Sequence, residues 1–213
     1  MSKGKMAERP YPNPQVSVYD PENWFTPAPE VVDWIHRVLM TEGGHLYNED
    51  HKHLLQAELA VLWAWPDNAK KGRRVIGEAE IPMFRCGKWQ KARQEQQMIQ
   101  WFGTMPDFLI TLDAHYCSSA SDVEFAALVE HELYHCAQDV DEFGSPKFKR
   151  STGEPVFVIR GHDVEEFVGV VRRYGVGERD EPMKALVQAA KGRPEVAKVD
   201  VARACGTCSV RAV

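Results

Sequence analysis

An α+β fold is expected for this chain, and three observations carry that expectation. Residues 121–138 make one apolar stretch of helical length that opens on a capping signal. Two short strand-like runs, 73–84 and 106–113, flank a polar, Gln-rich stretch suited to a helix. Residues 29–40 and 48–65, ahead of all these, carry the apolar spacing of helices.

The elements follow in chain order. Prolines at 10, 12, 14, 21, 27 and 29 alternate with Tyr11, Tyr19, Trp24 and Phe25. Proline fixes φ and removes a backbone donor, so residues 1–28 are expected to form an extended arm laid over the domain by its rings. A helix is expected from Pro29 to Met40, ended by Gly43-Gly44. A second, from Asn48 to Trp65, rests on Leu54, Leu55, Ala57, Leu59, Val61 and Leu62, with Pro66 as its stop. The strand-like runs come next. Ser121 and Glu124 then have the spacing of a capping box, which favours a helix from about Asp122 whatever follows. Phe125, Leu128, Val129 and Leu133 give that helix an apolar stripe. Gly161-His162-Asp163 opens a further periodic run (Val164, Phe167, Val168, Val171), expected as the first turn of another helix with Asp163 near its N-terminus. Past Tyr174-Gly175 one short helix is expected near 181–191, then a poorly ordered end. The expected organisation is an arm (1–28), one domain (29–176) and a partly disordered C-terminal extension (177–213).

Composition narrows the class. With 213 residues, 44% apolar and 27% charged, the chain can bury one proper core. The longest apolar segment, Leu59 to Trp65, is far short of the roughly 18 residues a membrane helix needs. No signal-peptide pattern is read at Met1–Pro10, so the expected location is the cytoplasm. Cysteines at 86, 117, 136, 205 and 208 lack the density of a disulfide scaffold. Cys205-Gly-Thr-Cys208 could supply half a structural zinc site, but no second pair accompanies it. Charge is segregated: nine acidic residues and no Lys or Arg lie between Asp107 and Glu142, while eight basic residues against two acidic ones lie between Lys70 and Arg93. The basic stretch, with Trp89 inside it, reads as a solvated surface or as a low-weight candidate for nucleic acid, through Lys70, Lys71, Arg73 and Arg74.

Residues 131–135 read His-Glu-Leu-Tyr-His. On a helix of about 3.6 residues per turn, positions i and i+4 share a face, so His131 and His135 can bind one cation between them. Glu132 stands beside that cation without ligating it, where a general base for an attacking water is needed. A catalytic zinc site takes three protein ligands and leaves one position open, so a third must come from elsewhere. His162 is the expected third ligand. Glu165 and Glu166 compete with it, followed by Glu154 and Asp163. The sequence after His135 lacks the Gly and His of the extended metzincin pattern.

Ala127-Leu-Val-Glu-His131-Glu-Leu-Tyr-His135, followed by Gly161-His162-Asp-Val-Glu-Glu-Phe167, resembles the minimal zincins of the SprT-like and WLM type, and more closely the phage metallopeptidases related to them. Val75-Ile-Gly-Glu-Ala-Glu and Phe108-Leu-Ile-Thr-Leu-Asp are similar to the strands preceding the active helix there. The resemblance spans about residues 50 to 175. It implies a zincin-like core binding Zn2+ through His131, His135 and His162, with Glu132 as base, and a peptidase acting on protein or peptide substrates in the host cytoplasm if phage-encoded. It departs from the SprT-like pattern in a longer loop between the second and third histidines and in one extra residue between His162 and Phe167. A substrate strand is expected to add along the 107–112 segment. Two other readings accompany this one: a DNA-associated SprT-like protease acting on nucleic-acid-bound proteins, and a non-catalytic, zinc-stabilised binding module. The oxyanion-stabilising group is left open among Tyr116, Tyr134, His115 and Tyr174.

Overall fold

The computed structural model describes residues 8–16, 21–70, 72–164, 171–172, 175–176 and 181–198. The chain divides into two compact units, one running to Arg160 and the other covering Gly161–Lys198.

The first unit is built on a mixed four-stranded sheet. Its strands are β1 (Phe25–Pro27), β2 (Leu59–Ala64), β5 (Gly77–Glu80) and β6 (Phe108–Asp113), in the order β1-β2-β6-β5. β2 and β6 run parallel, with Val61 opposite Ile110, and form the centre. β1 and β5 are antiparallel outer strands. Pro27 sits on the outer strand β1, where a missing N–H is tolerated. Two-residue strands β3 (Ala69–Lys70) and β4 (Arg73–Arg74) make a separate small hairpin.

Strand alternation sorts the core into two layers. Val61, Trp63, Phe108, Ile110, Leu112 and Ala79 face one side, where they meet helix α1 (Pro29–Ile35), its π-helical continuation His36–Met40, and helix α4 (Asp122–His135). Ala60, Leu62 and Leu109 face the other, against Met98 of helix α2 (Lys88–Phe102). The first half of α2 is exposed, with Trp89 at 87%. A short helix α3 (Ala114–Ser119) links β6 to α4.

Several expectations hold. The helices near 29–40 and 122 and between the strand-like runs are present, as is the strand near 106–113. The run 73–84 is shorter than expected, with only Arg73–Arg74 and Gly77–Glu80 as strand. The helix expected over 48–65 is not formed. Glu49–Gln56 is a 3-10 helix capped by Asn48, and Leu59–Ala64 is the strand β2. The reason is two-sided burial: α1 and α4 cover one face of β2 and α2 the other, so its residues are apolar without alternating, and such a run reads equally well as buried helix. The segment 107–112 is no sheet edge either, because β6 is paired on both sides.

In the second unit, Glu181–Lys191 is helical, with Met183 buried, matching the helix expected near 181–191. His162–Val164 are not helical, in contrast to the expected first turn, and Glu165 and Glu166 lie outside the described residues, as do Tyr174, Cys205 and Cys208. Among the described residues, no helix is long and apolar enough to cross a membrane.

Candidate metal centre

Helix α4 is set by local chemistry at its start. Ser121 Oγ accepts from the Glu124 amide, and the Glu124 carboxylate accepts from the Ser121 amide, so the capping box is closed in both directions. The Ser121 amide and the Ser121 hydroxyl both donate to the Glu124 carboxylate and hold it below its ordinary range.

A residue from the arm fixes the same end. Arg9 is buried and donates to the carbonyls of Cys117 and Ala120, where the orphan acceptors of α3 need donors, and to the Asp122 carboxylate in the first turn of α4. Its guanidinium lies 3.9 Å from the Tyr11 ring centre and 4.9 Å from that of Phe125. Arg9 is thus the buried anchor of this segment, while Tyr11, Trp24 and Phe25 are exposed, in contrast to the expected packing of the rings. No signal in the sequence marks Arg9 among the neighbouring prolines.

Phe125, Leu128, Val129 and Leu133 are fully buried, and Phe125 meets Trp34 edge to face at 5.2 Å. This leaves α4 little freedom to roll. A polar latch secures its flank: Asn48 donates to the Glu130 carboxylate (2.8 Å) and the Tyr134 hydroxyl (2.9 Å), and Tyr134 donates to Asp50. One ring nitrogen of His53 contacts the Cys136 carbonyl just past the helix end, and the other contacts Asp50 O.

Against that fixed helix the two histidines stand one turn apart, ring centres 5.1 Å from each other. Glu132 and His135 are buried, and His131 is half-buried. α4 stops at His135 because Cys136 turns extended and begins β7 (Cys136–Gln138), which pairs antiparallel with β8 (Phe157–Ile159). The pairing brings Arg160 to His135. The Arg160 amide donates to the His135 carbonyl, and the His135 Nδ1 lies 2.7 Å from the Arg160 carbonyl. A carbonyl only accepts, so Nδ1 carries the proton and Nε2 keeps its lone pair.

His162 follows Arg160 by two residues, so their Cα atoms lie within about 7.6 Å whatever the intervening conformation. One ligand-capable atom from each of His131, His135 and His162 lies within 4.8 Å of the others. Three imidazole nitrogens around a tetrahedral ion with bonds near 2.05 Å stand roughly 3.4 Å apart, and the observed limit encloses that spacing. The donor set and the His135 tautomer both fit a bound metal.

A family model described as "Putative phage metallopeptidase" matches residues 32–191. The chain belongs to that family. Comparison with curated proteins and with solved structures gives no match. The family's description points to a metallopeptidase, which implies a metal and protein substrates.

The structure also sorts the other residues singled out by sequence. The Tyr134 hydroxyl is committed to Asp50 and Asn48, on the flank of α4. Tyr116 lies in α3, where burial first and the Glu124 charge second push its phenol up, and Glu124 itself stands about 10 Å along α4 before His131. His115 packs edge-on against Trp65. Glu154 is paired with Lys149 in an exposed turn. In the basic stretch, Lys70 pairs with Glu78 and Arg74 with Asp113, so part of its charge is answered within the fold, and Lys71 lies outside the described residues.

Proposed function

We propose that this chain is a zinc-dependent peptidase of the HExxH zincin type, with His131, His135 and His162 as ligands and Glu132 as general base. The observation that carries the reading is the clustering of the three imidazoles, together with the full burial of the carboxylate that follows the first of them in sequence. His131, His135 and His162 would hold a zinc ion, which would supply Lewis-acid chemistry for activating a water and polarising a carbonyl. Glu132 takes the proton from the attacking water and delivers it to the leaving amine. Burial serves this role, since a carboxylate screened from bulk solvent keeps one orientation toward the reacting centre. His135 holds its Nε2 toward the cluster because its other nitrogen is anchored on Arg160.

The test is metal content measured beside hydrolysis of an unstructured protein such as casein. Glu132→Gln is expected to keep one zinc per chain and to lose hydrolysis by at least about 100-fold. His131→Ala, His135→Ala and His162→Ala are each expected to lose both. Zinc at full stoichiometry in any of the three histidine variants would remove that residue from the ligand set. Full hydrolysis by Glu132→Gln would remove Glu132 as the general base, and bound zinc without hydrolysis by the wild-type chain would leave the cluster a structural zinc site.

A further inference from the structure

Strand β5 presents Gly77 and Ala79 to α4, because register with β6 sets Gly77 opposite Leu112 and Ala79 opposite Ile110 on the face that carries the main core. A Cβ on Gly77 would stand 2.6 Å from Glu132 Oε1, 3.1 Å from Glu132 Cδ and 2.8 Å from Leu128 Cδ1. Real side chains do not approach that closely. Gly77 does not belong to the positive-φ glycines, so its backbone conformation is open to any residue. What matters is the missing side chain.

We propose that Gly77 is a positioning residue for Glu132, its bare Cα being the floor on which the carboxylate rests. Neither wall can yield cheaply. Strand β5 is paired to the central strand β6, and α4 is fixed by Phe125, Leu128, Val129 and Leu133, by the capping box and by Arg9. An added methyl must therefore be answered by the Leu128 methyl and by the Glu132 side chain, and the carboxylate, as the nearest atom met, is turned from its native orientation. Ala79, about 6.8 Å further along the same face, is buried and does carry a methyl, so the demand for no side chain is local to the carboxylate. The functional half of this proposal rests on Glu132 being the general base, whereas the steric half does not.

The experiment uses the full chain as Gly77→Ala, Glu132→Ala and the double variant, with unfolding midpoints measured on chelator-stripped protein and, on zinc-loaded protein, metal content, kcat and KM. Gly77→Ala is expected to lower the midpoint in the wild-type background and less in the Glu132→Ala background, where two of the three atoms it meets, Oε1 and Cδ of Glu132, are gone and Leu128 Cδ1 remains. Zinc-loaded Gly77→Ala is expected to keep its metal and its KM while kcat falls by about 10- to 100-fold. If Gly77→Ala alone fails to fold, folding of the double variant supports the contact. Equal destabilisation in both backgrounds, misfolding in both, or a wild-type kcat in Gly77→Ala overturns the proposal. Full hydrolysis by Glu132→Gln would instead overturn the role of Glu132 itself, and it reads separately because the apo-protein coupling involves no activity.

Discussion

Helix α4 and the ribbon that follows it, residues 136–160, differ in what holds them, although both adjoin the same histidines. The helix is fixed by buried apolar contacts on one side, by a closed capping box and a buried arginine at its start, and by the Asn48–Glu130–Tyr134 latch on its flank. The ribbon reaches the core near its two ends, through buried Cys136 and through Phe157 against Phe108 at 5.1 Å. Beyond that it relies on bridges between Val140 and Pro146 and between Phe148 and Pro155, and on the surface pairs Lys147–Asp139 and Lys149–Glu154. Phe143 at its tip is 83% exposed. A region with few buried contacts opens at lower free-energy cost than the core. The comparison teaches that two histidines sit on a rigid platform, while the chain segment leading to the third is secured chiefly by backbone ladder and by the Arg160 carbonyl on His135.

The largest effect should come from cutting the platform. Phe125→Ala removes the ring under Trp34 and Arg9 and is expected to cost about 3 to 5 kcal/mol in urea unfolding. A cost below about 1 kcal/mol would mean that α4 is not held by its core face. Arg9→Met should come next, at about 2 to 3 kcal/mol, because it leaves two helix-end carbonyls and Asp122 without their donor. Ser121→Ala, which opens the capping box, should cost about 1 kcal/mol and fray the start of α4 in its amide exchange pattern.

The ribbon should respond differently. Lys147→Gln with Lys149→Gln is expected to leave the global unfolding midpoint nearly unmoved while speeding exchange of the Lys147 and Val156 amides, which lie in the ribbon ladder. The smallest effect concerns acid. The hydrogen bond from Lys147 holds the Asp139 carboxyl below its ordinary range, and that from Lys149 does the same for Glu154. A carboxyl whose folded value is depressed stabilises the fold above its unfolded pKa and loses that contribution as pH falls through the folded value. Ribbon amides should therefore lose protection below about pH 4, before α4 does. Simultaneous loss in both regions would erase the distinction between them.

Legibility in the sequence follows the range of the interactions involved. The capping box and the i, i+4 histidines are local relations, and α4 was readable from them alone. β2 was not, since a continuous apolar run reports burial on both faces without saying which backbone geometry buries it. Its parallel pairing with Phe108–Asp113 selects the strand. Gly77 left one trace, an isolated glycine inside a strand-like run, which signals close backbone approach. Arg9 left none, because its partners lie more than a hundred residues away. The expected edge role of 107–112 failed for the same reason: strand order is a property of the assembled sheet.

The sequence by itself determined helix α4: its start at Ser121, its two histidines on one face, and a carboxylate next to the first. Those features repeat within one helical turn, so neighbouring residues suffice to specify them. Only the tertiary structure decided that Gly77 lies under Glu132, that Arg160 fixes the His135 ring, and that β6 is an inner strand. Each of these depends on a contact between residues brought together by packing, and packing is set by the whole core.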